Sequence, residues 1–272
     1  CCFMWNLHNI GKLRGSDMLA IERKNEILDK LRAEQRVLVS DLAEYYNVTE
    51  ETIRRDLDKL EKEGYATKTY GGAILGNSTK TDLSYTIRNK TNVEAKTQIA
   101  ALASRLIEDG DHLMLDDSST SLYLAKKLKE KKNLTVITNS VELVVEFNGV
   151  EGWTIILTGG RLKPDSLALV GDQTQQMLRH YHVDTAVMSC KGIDLEAGVT
   201  DSSEFHAQTK QSMLRCAKKK ILILDSSKID KVSFIDIAPL DAFDIVVTNT
   251  APSKPWLDFF ADHNVKCLYP GK

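Results

Sequence analysis

Between His112 and Leu268 the chain repeats one pattern. Short β-branched, apolar runs alternate with amphipathic stretches of about ten residues. The strand-like runs are His112 to Leu115, Thr135 to Thr138, Thr154 to Leu157, Thr185 to Ser189, Lys220 to Leu224, Ile245 to Val247 and Val265 to Leu268. Helical spacing falls between many of them, over Ser119 to Lys131, Val141 to Phe147, Thr174 to His180, Glu204 to Ala217 and Pro255 to Asp262. Consecutive strands separated by a helix cannot pair through a hairpin. The pattern therefore predicts βαβ units and a mainly parallel sheet covered on both faces. Such sheets bind ligands beyond the carboxyl ends of their strands.

The first part of the chain has a different texture. Ile21, Ile27, Leu28 and Leu31 recur at helical spacing, predicting a helix from about Leu19 to Arg32. A β-branched stretch, Val37 to Val39, follows. Ser40 is then expected to cap a second helix through Tyr46, with Asn47-Val48 as a turn. Thr49 is expected to cap a third, from Glu50 to about Glu63, ending at Gly64. Tyr65 to Tyr70 reads as a strand, and Gly71-Gly72 as a hairpin corner. Three short helices and a small hairpin make the winged form of helix-turn-helix.

In the third helix Ile53, Leu57 and Leu60 define a buried face, while Glu51, Thr52, Arg55 and Lys59 point the other way and Arg54 lies on the flank. Arginine can grip guanine or phosphate, and threonine can touch a thymine methyl or phosphate. Ser40, Thr49, Glu51, Thr52, Arg54, Arg55, Lys59 and Lys68 are the candidate DNA-contacting residues. Charge alone does not single out nucleic acid. Met18 to Gly76 holds ten Lys and Arg against twelve Asp and Glu, and the whole chain carries a formal charge of −2. The position of Arg54, Arg55, Lys59 and Lys68 on the recognition helix and wing is what favours DNA over a solvated charged helix.

At 272 residues, with 42% hydrophobic and 27% charged residues, the chain has room for two domains and is not disordered. Its apolar runs fall far short of the ~20 residues of a membrane span. Five cysteines with no C-x-x-C pair argue against a disulfide framework or zinc knuckle, and point to the cytoplasm. Residues 1–17 read as a leader of unassigned role, 18–76 as the DNA-binding domain, 77–92 as a polar linker and 93–272 as the α/β domain.

Hydroxyl-rich clusters follow several strands. Asp117-Ser118-Ser119-Thr120-Ser121 opens a helix, where backbone N–H groups and hydroxyls can cradle a phosphate or carboxylate. Taken alone it equally fits an ordinary N-cap. Thr138-Asn139-Ser140, Gly159-Gly160-Arg161, Lys191-Gly192 and Asp225-Ser226-Ser227-Lys228 occupy similar places, and the repetition at one end of a parallel sheet favours a site. His180-x-His182 lacks a third metal ligand and reads as surface histidines, and Cys190 as a small buried residue without an activating base. There is no nucleophile elbow. No motif asks for a cofactor.

The runs ERKNEILDKL, SDLAEYYNVTEETIRRDLDKLEKEG and YGGAIL resemble the DNA-binding domain of the DeoR family of bacterial transcription regulators, whose T-I/V-R-R-D-L signature stands at Thr52 to Leu57. The resemblance implies a winged helix-turn-helix that reads operator DNA, usually as a repressor. It continues into a sensor domain resembling ribose-5-phosphate isomerase and the CoA-transferase fold, which typically binds a phosphorylated sugar. The family's D-x-G-S/T-T loop corresponds to Asp117 to Ser121, with Ser119 where glycine is usual. T-N-S corresponds to Thr138 to Ser140, G-G-x-x-x to Gly159 to Lys163, and A-L-V-G to Ala168 to Gly171. The family's E-x(5)-K helix gives Glu204 and Lys210, and D-S-S-K gives Asp225 to Lys228. Where G-A-D-G-I is common, Ser189-Cys190-Lys191-Gly192-Ile193 stands here. Lys191 cannot act as a carboxylate base, which disfavours an isomerase or CoA-transferase-like enzyme with an appended DNA-binding module, but it can pair with an anion.

The expected effector contacts are Asp117, Ser118, Ser119, Thr120, Ser121, Thr138, Asn139, Ser140, Gly160, Arg161, Lys191, Gly192, Glu204, Lys210 and Lys228. Expected partners are operator DNA, a phosphorylated sugar and further copies of the chain, as dimer or tetramer, with no membrane.

Overall fold

The computed structural model describes residues 19–34, 36–62, 65–75 and 85–271. The chain divides into two compact units, 1–83 and 84–272. The leader 1–17, Gly64 and residues 77–84 of the expected linker lie outside the described residues.

The first unit runs α1 (Ala20–Glu34), β1 (Arg36–Leu38), α2 (Val39–Tyr46), α3 (Glu50–Lys62), β2 (Ala66–Thr69) and β3 (Gly72–Leu75). Its core gathers Ile27, Leu28 and Leu31 of α1, Val39, Leu42, Ala43 and Tyr46 of α2, and Ile53, Leu57 and Leu60 of α3. Asn47, in the left-handed conformation at φ 51°, stops α2 by donating its N–H to Ala43 and Glu44. The hairpin β2–β3 is joined by β1, giving the antiparallel order β1-β3-β2. Gly72 is needed there, because a Cβ would stand 2.2 Å from the Val37 carbonyl oxygen. Ser40 departs from expectation. With β1 leading straight into α2, the helix starts at Val39, Leu38 holds the cap position without a side-chain bond, and Ser40 lies inside the helix.

One ion pair holds this unit from within. Arg23 Nε donates to Asp56 Oδ2 at 2.7 Å, and both residues are buried. Asp56, part of the T-I-R-R-D-L run, thus ties the recognition helix to α1.

The second unit begins with α4 (Tyr85–Lys90) and α5 (Val93–Ala103). There follow β4 (His112–Leu115), α6 (Ser119–Leu128), β5 (Thr135–Thr138), α7 (Val141–Glu146), β6 (Thr154–Leu157), β7 (Arg161–Lys163), β8 (Ala168–Val170), α8 (Asp172–Leu178) and β9 (Val183–Met188). Last come β10 (Gly192–Asp194), β11 (Gly198–Asp201), α9 (Glu204–Cys216), β12 (Ala217–Ile223), β13 (Ile235–Ala238), β14 (Ile245–Val247), α10 (Lys254–Asp262) and β15 (Lys266–Leu268).

The expected parallel sheet is present, in the order β15-β14-β12-β9-β4-β5-β6. Side chains alternate across it. Met114, Ala186, Leu222 and Val246 enter a core with Met213, Trp256 and Phe260, whereas Leu113, Leu115, Val187, Ile221 and Val247 enter another with Ile99, Leu122 and Phe147. Strand order reverses between β4 and β9, the kind of switch point beyond whose carboxyl ends parallel sheets bind ligands.

Sequence periodicity missed α5, the hairpin β7–β8 and the antiparallel sheet β10-β11-β13. The stretch expected as a linker is helical over its later part, where α4 packs on α6.

Asp56→Ala should cost about 3–5 kcal/mol, because it strands a buried guanidinium, whereas Arg23→Met with Asp56→Leu should cost far less. Urea unfolding of the full chain, followed through the first unit, checks this. Equal losses in the two proteins would contradict it.

Candidate functional site

Two surfaces are candidates, one in each unit. In the first, Thr49 caps α3 as expected, its Oγ1 accepting the Thr52 N–H at 3.3 Å and lying 2.9 Å from Thr52 Oγ1. The arginines of the signature do not stand alone. Arg54 pairs with Glu50 at 2.6 Å and Arg55 with Glu51 at 3.4 Å, one helical turn apart and half-exposed or more. Lys59 stands 3.8 Å from Asp56. Lys68 of β2 pairs with Asp58, and its N–H donates to Glu61 Oε1 at 2.8 Å, which clamps the hairpin against α3. That contact raises the Lys68 ammonium and lowers the Asp58 carboxyl from their ordinary ranges. Ser40 is exposed and bonds only its neighbour Asp41, at 3.0 Å. Exposed pairs of this kind contribute little, so a phosphate can take the arginines from their glutamates.

In the second unit the turn after β4 carries two aspartates. Asp116 Oδ1 accepts from Ser118 Oγ at 2.7 Å and from the Ser121 hydroxyl, while Oδ2 accepts the Ser189 N–H at 2.9 Å. Ser118 caps α6 by accepting the Ser121 N–H at 3.0 Å. Asp117 pairs with His206 at 3.2 Å and receives Asn139 Nδ2 at 3.4 Å. Lys210 lies 2.6 Å from Asp201 and 3.5 Å from Asp116. All of these groups are buried. Burial alone would raise the Asp117 carboxyl, but His206, then Lys210 and Arg88, hold it well below the carboxylate range. Burial likewise opposes charge on Lys210, and Asp201, Asp116 and Asp117 overcome it, raising the ammonium well above its ordinary value.

The expected residues separate by role. Thr138 Oγ1 donates to the Leu115 carbonyl at 2.7 Å, and Ser140 caps α7 through the Leu143 N–H at 3.2 Å, so both shape the strand end. Gly160, at φ 130°, leaves no room for a Cβ, which would meet Thr174 Oγ1 at 2.2 Å. Gly192 is as tightly placed, 2.2 Å from the Lys231 carbonyl oxygen by the same measure. The Arg161 guanidinium stands 5.2 Å from the Phe205 ring centre, and Lys191 donates its N–H to the Thr200 carbonyl at 2.9 Å. Glu204 is exposed and accepts from Gln208 of its own helix at 2.9 Å. Lys228 Nζ donates to Ser189 Oγ at 2.8 Å. Ser119 is buried, Thr120 Oγ1 and Asn139 Oδ1 are buried without a hydrogen-bond partner, and all three stand beside the cap of α6.

Sequence reading missed Asp116, Asp201, His206 and Lys96. The spacing of His206 and Lys210, four apart on α9, was the available signal for one shared face. Lys96 is buried, and its Nζ donates to the carbonyls of Arg88 and Thr91. A cavity of about 550 Å³ opens beyond β12 and β14, lined among others by Asn92, Gln98, Asp225, Ser227 and Asn249. Among the described residues no three His, Cys, Asp or Glu side chains gather as a metal site, and no helix is long and apolar enough to cross a membrane.

A winged helix-turn-helix joined to a parallel α/β unit with a polar crevice defines a class, DNA-binding regulators with a sensor domain. Family models agree. The DeoR-like helix-turn-helix domain matches residues 23–79 and the DeoR C terminal sensor domain matches 91–250. The chain belongs to the DeoR family of transcription regulators, and is a regulator rather than an enzyme. It is 36% identical to the HTH-type transcriptional repressor GlcR of Bacillus subtilis (strain 168), over 91% of this chain and 95% of that one. It is 31% identical to the L-fucose operon activator of Haemophilus influenzae (strain ATCC 51907 / DSM 11121 / KW20 / Rd), over 84% and 91% respectively. Among solved structures, ribose 5-phosphate isomerase A of Methanocaldococcus jannaschii aligns over 51% of this chain and 55% of its own, at 18% identity and a TM-score of 0.38.

Burial first, then Lys228, brings the Lys96 ammonium down from 10.5 to about 8. Between those values the unfolded chain binds more protons, so this lysine makes stability rise with pH across that window. Lys96→Met should therefore gain most on wild type below about pH 8 and lose its advantage toward about pH 10.5. Urea unfolding across this range checks it. A difference independent of pH would contradict it.

Proposed function

We propose that this regulator represses a sugar-metabolism operon, and that a phosphorylated sugar bound beyond the carboxyl ends of β4, β9 and β12 sets its operator affinity. One observation carries the effector half. Thr120 Oγ1 is buried in the first turn of α6 with no partner, and so is Asn139 Oδ1, whose amide reaches Asp117 at 3.4 Å. Buried polar groups left unpaired are rare and costly, and here a ligand would satisfy them. A phosphate there would meet the opening N–H groups of α6 and the ammonium of Lys228, whose present partner is a neutral hydroxyl. Lys210 is not the cation for this purpose, since Asp201 and Asp116 already neutralise it. It holds the Asp201 carboxyl below its ordinary range and ties Asp201 and Asp116 together. Asp117 and Asn139 are suited to sugar hydroxyls, and Lys191 to the anion.

For DNA, Thr52, Arg54, Arg55, Lys59 and the wing residue Lys68 form the proposed contact set. Docking exchanges the glutamate partners of the arginines for phosphates or guanine edges. One near-neutral unit makes few phosphate contacts, so two copies on two half-sites supply the affinity. Such a regulator works in the cytoplasm, where the chromosome lies.

Arg55→Ala should weaken operator binding by about 1–3 kcal/mol if it reads a base, and should lower the salt slope if it holds a phosphate. Glu50→Gln with Glu51→Gln should strengthen binding to duplexes of any sequence. Fluorescence anisotropy over a salt series reads both, and unchanged binding in a folded Arg54→Ala/Arg55→Ala protein would contradict the assignment.

Thr120→Ala with Lys228→Ala should abolish the rise in melting temperature given by sugar monophosphates and leave operator binding intact. A double variant that still responds like wild type would overturn the pocket.

A further inference from the structure

The chain entering the second unit from the DNA-binding side is anchored at the ligand end of the sheet. Its first described element is α4, and three side chains hold the corner between α4 and α5. Lys96 Nζ donates to the carbonyls of Arg88 and Thr91, closing the carboxyl end of α4. Tyr123 of α6 donates its hydroxyl to the Asn89 carbonyl at 3.0 Å. Asn92 Nδ2 donates to Asp225 Oδ1 at 3.0 Å and stands 3.4 Å from Ser227 Oγ. Asn92 sits at φ 52°, a left-handed position asparagine tolerates, and this lets the chain turn sharply from α4 into α5.

Two of the anchors reach elements of the candidate effector site. Tyr123 lies on α6, whose first turn carries Thr120. Asp225 and Ser227 lie in the loop that ends in Lys228, and the cavity of about 550 Å³ runs between Asn92 and that loop. Asn89 Oδ1 is itself buried and unpartnered. Lys228 and Lys96 also repel one another, so an anion at Lys228 would ease the charge on the buried ammonium.

We propose that the corner from α4 to the first turn of α5 is the element through which effector occupancy reaches the DNA-binding unit, with Asn92 and Lys96 as positioning residues for the response rather than for binding. This rests on the sensor reading above. A ligand that draws the Asp225–Lys228 loop inward moves Asn92 with it, and Lys96 carries the displacement to the last carbonyls of α4. In sequence, residues 76–84 join α4 to the DNA-binding unit. Nothing else in the corner needs to touch the ligand.

The test uses the full chain, an operator duplex, and hexose, pentose and triose monophosphates with inorganic phosphate as the minimal probe. Asn92→Gly removes the amide while keeping the left-handed turn, and Lys96→Met removes the ammonium. In wild type an effective monophosphate should change operator affinity about tenfold or more, within the usual range of allosteric coupling. Both variants should keep the rise in melting temperature, yet change operator affinity less than about twofold, and Lys96→Arg should restore part of the response. Hydrogen exchange of the α4 amides should slow on ligand binding in wild type and stay unchanged in Asn92→Gly. Variants that respond like wild type would overturn the relay and leave the sensor reading standing. Loss of both melting shift and response would make these residues ligand contacts and overturn the relay as well. A wild type that no monophosphate affects would remove the sensor reading and this inference together.

Discussion

The Asp116 carboxylate organises the sensor unit. One oxygen takes the hydroxyls of Ser118 and Ser121, fixing the start of α6, while the other takes the Ser189 N–H after β9 and faces Lys210 of α9. A single buried group thereby joins the ends of the two strands between which the strand order reverses, and links them to α6 and α9. Three buried aspartates would be untenable without Lys210 and His206 among them. Removing one partner of such a cluster strands a charge and costs far more than the pair contributes. The charges at these strand ends therefore leave few alternative arrangements.

Rigidity of this kind suits discrimination. In the proposed site the buried acids would disfavour anions in general and leave the amino end of α6 and the neighbourhood of Lys228 as the places for a phosphate. The DNA-binding unit applies a similar restraint in a softer form. Glu50 and Glu51 hold Arg54 and Arg55 in exposed pairs, so an arbitrary phosphate must compete with a carboxylate already in place. Weak pairing at the surface and strong pairing in the core serve different ends. In the proposed reading the first tunes how readily DNA is bound, while the second fixes the geometry of the strand ends in the second unit.

Much of the architecture was legible in the sequence. Short apolar runs such as Leu113-Met114-Leu115, alternating with helical stretches, announced the parallel strands, and Thr49 announced the start of α3. The hydroxyl-rich turn at Asp117 to Ser121 was visible as a helix opening. What stayed hidden was decided by tertiary contact. Asp116 and Asp201 look like any loop acids until the fold brings Lys210 between them. Asp56 stands in the signature run without a visible partner in the sequence, and α1 supplies the arginine that pairs with it. The stretch around Asn92 looks like linker because it is polar, yet its polar groups are the anchors of a corner. Ser40 misled for a local reason, since β1 runs into α2 without a turn and Val39 begins the helix.

The account stands on an anion occupying the α6 end of the crevice, and a crystal structure of the full chain with an effective sugar monophosphate would test that most directly. The phosphate should lie within hydrogen-bond distance of Thr120 Oγ1 and Lys228 Nζ, with the Asp201–Lys210 pair intact. A phosphate bound elsewhere in the chain, with Thr120 Oγ1 still unpartnered, would contradict it.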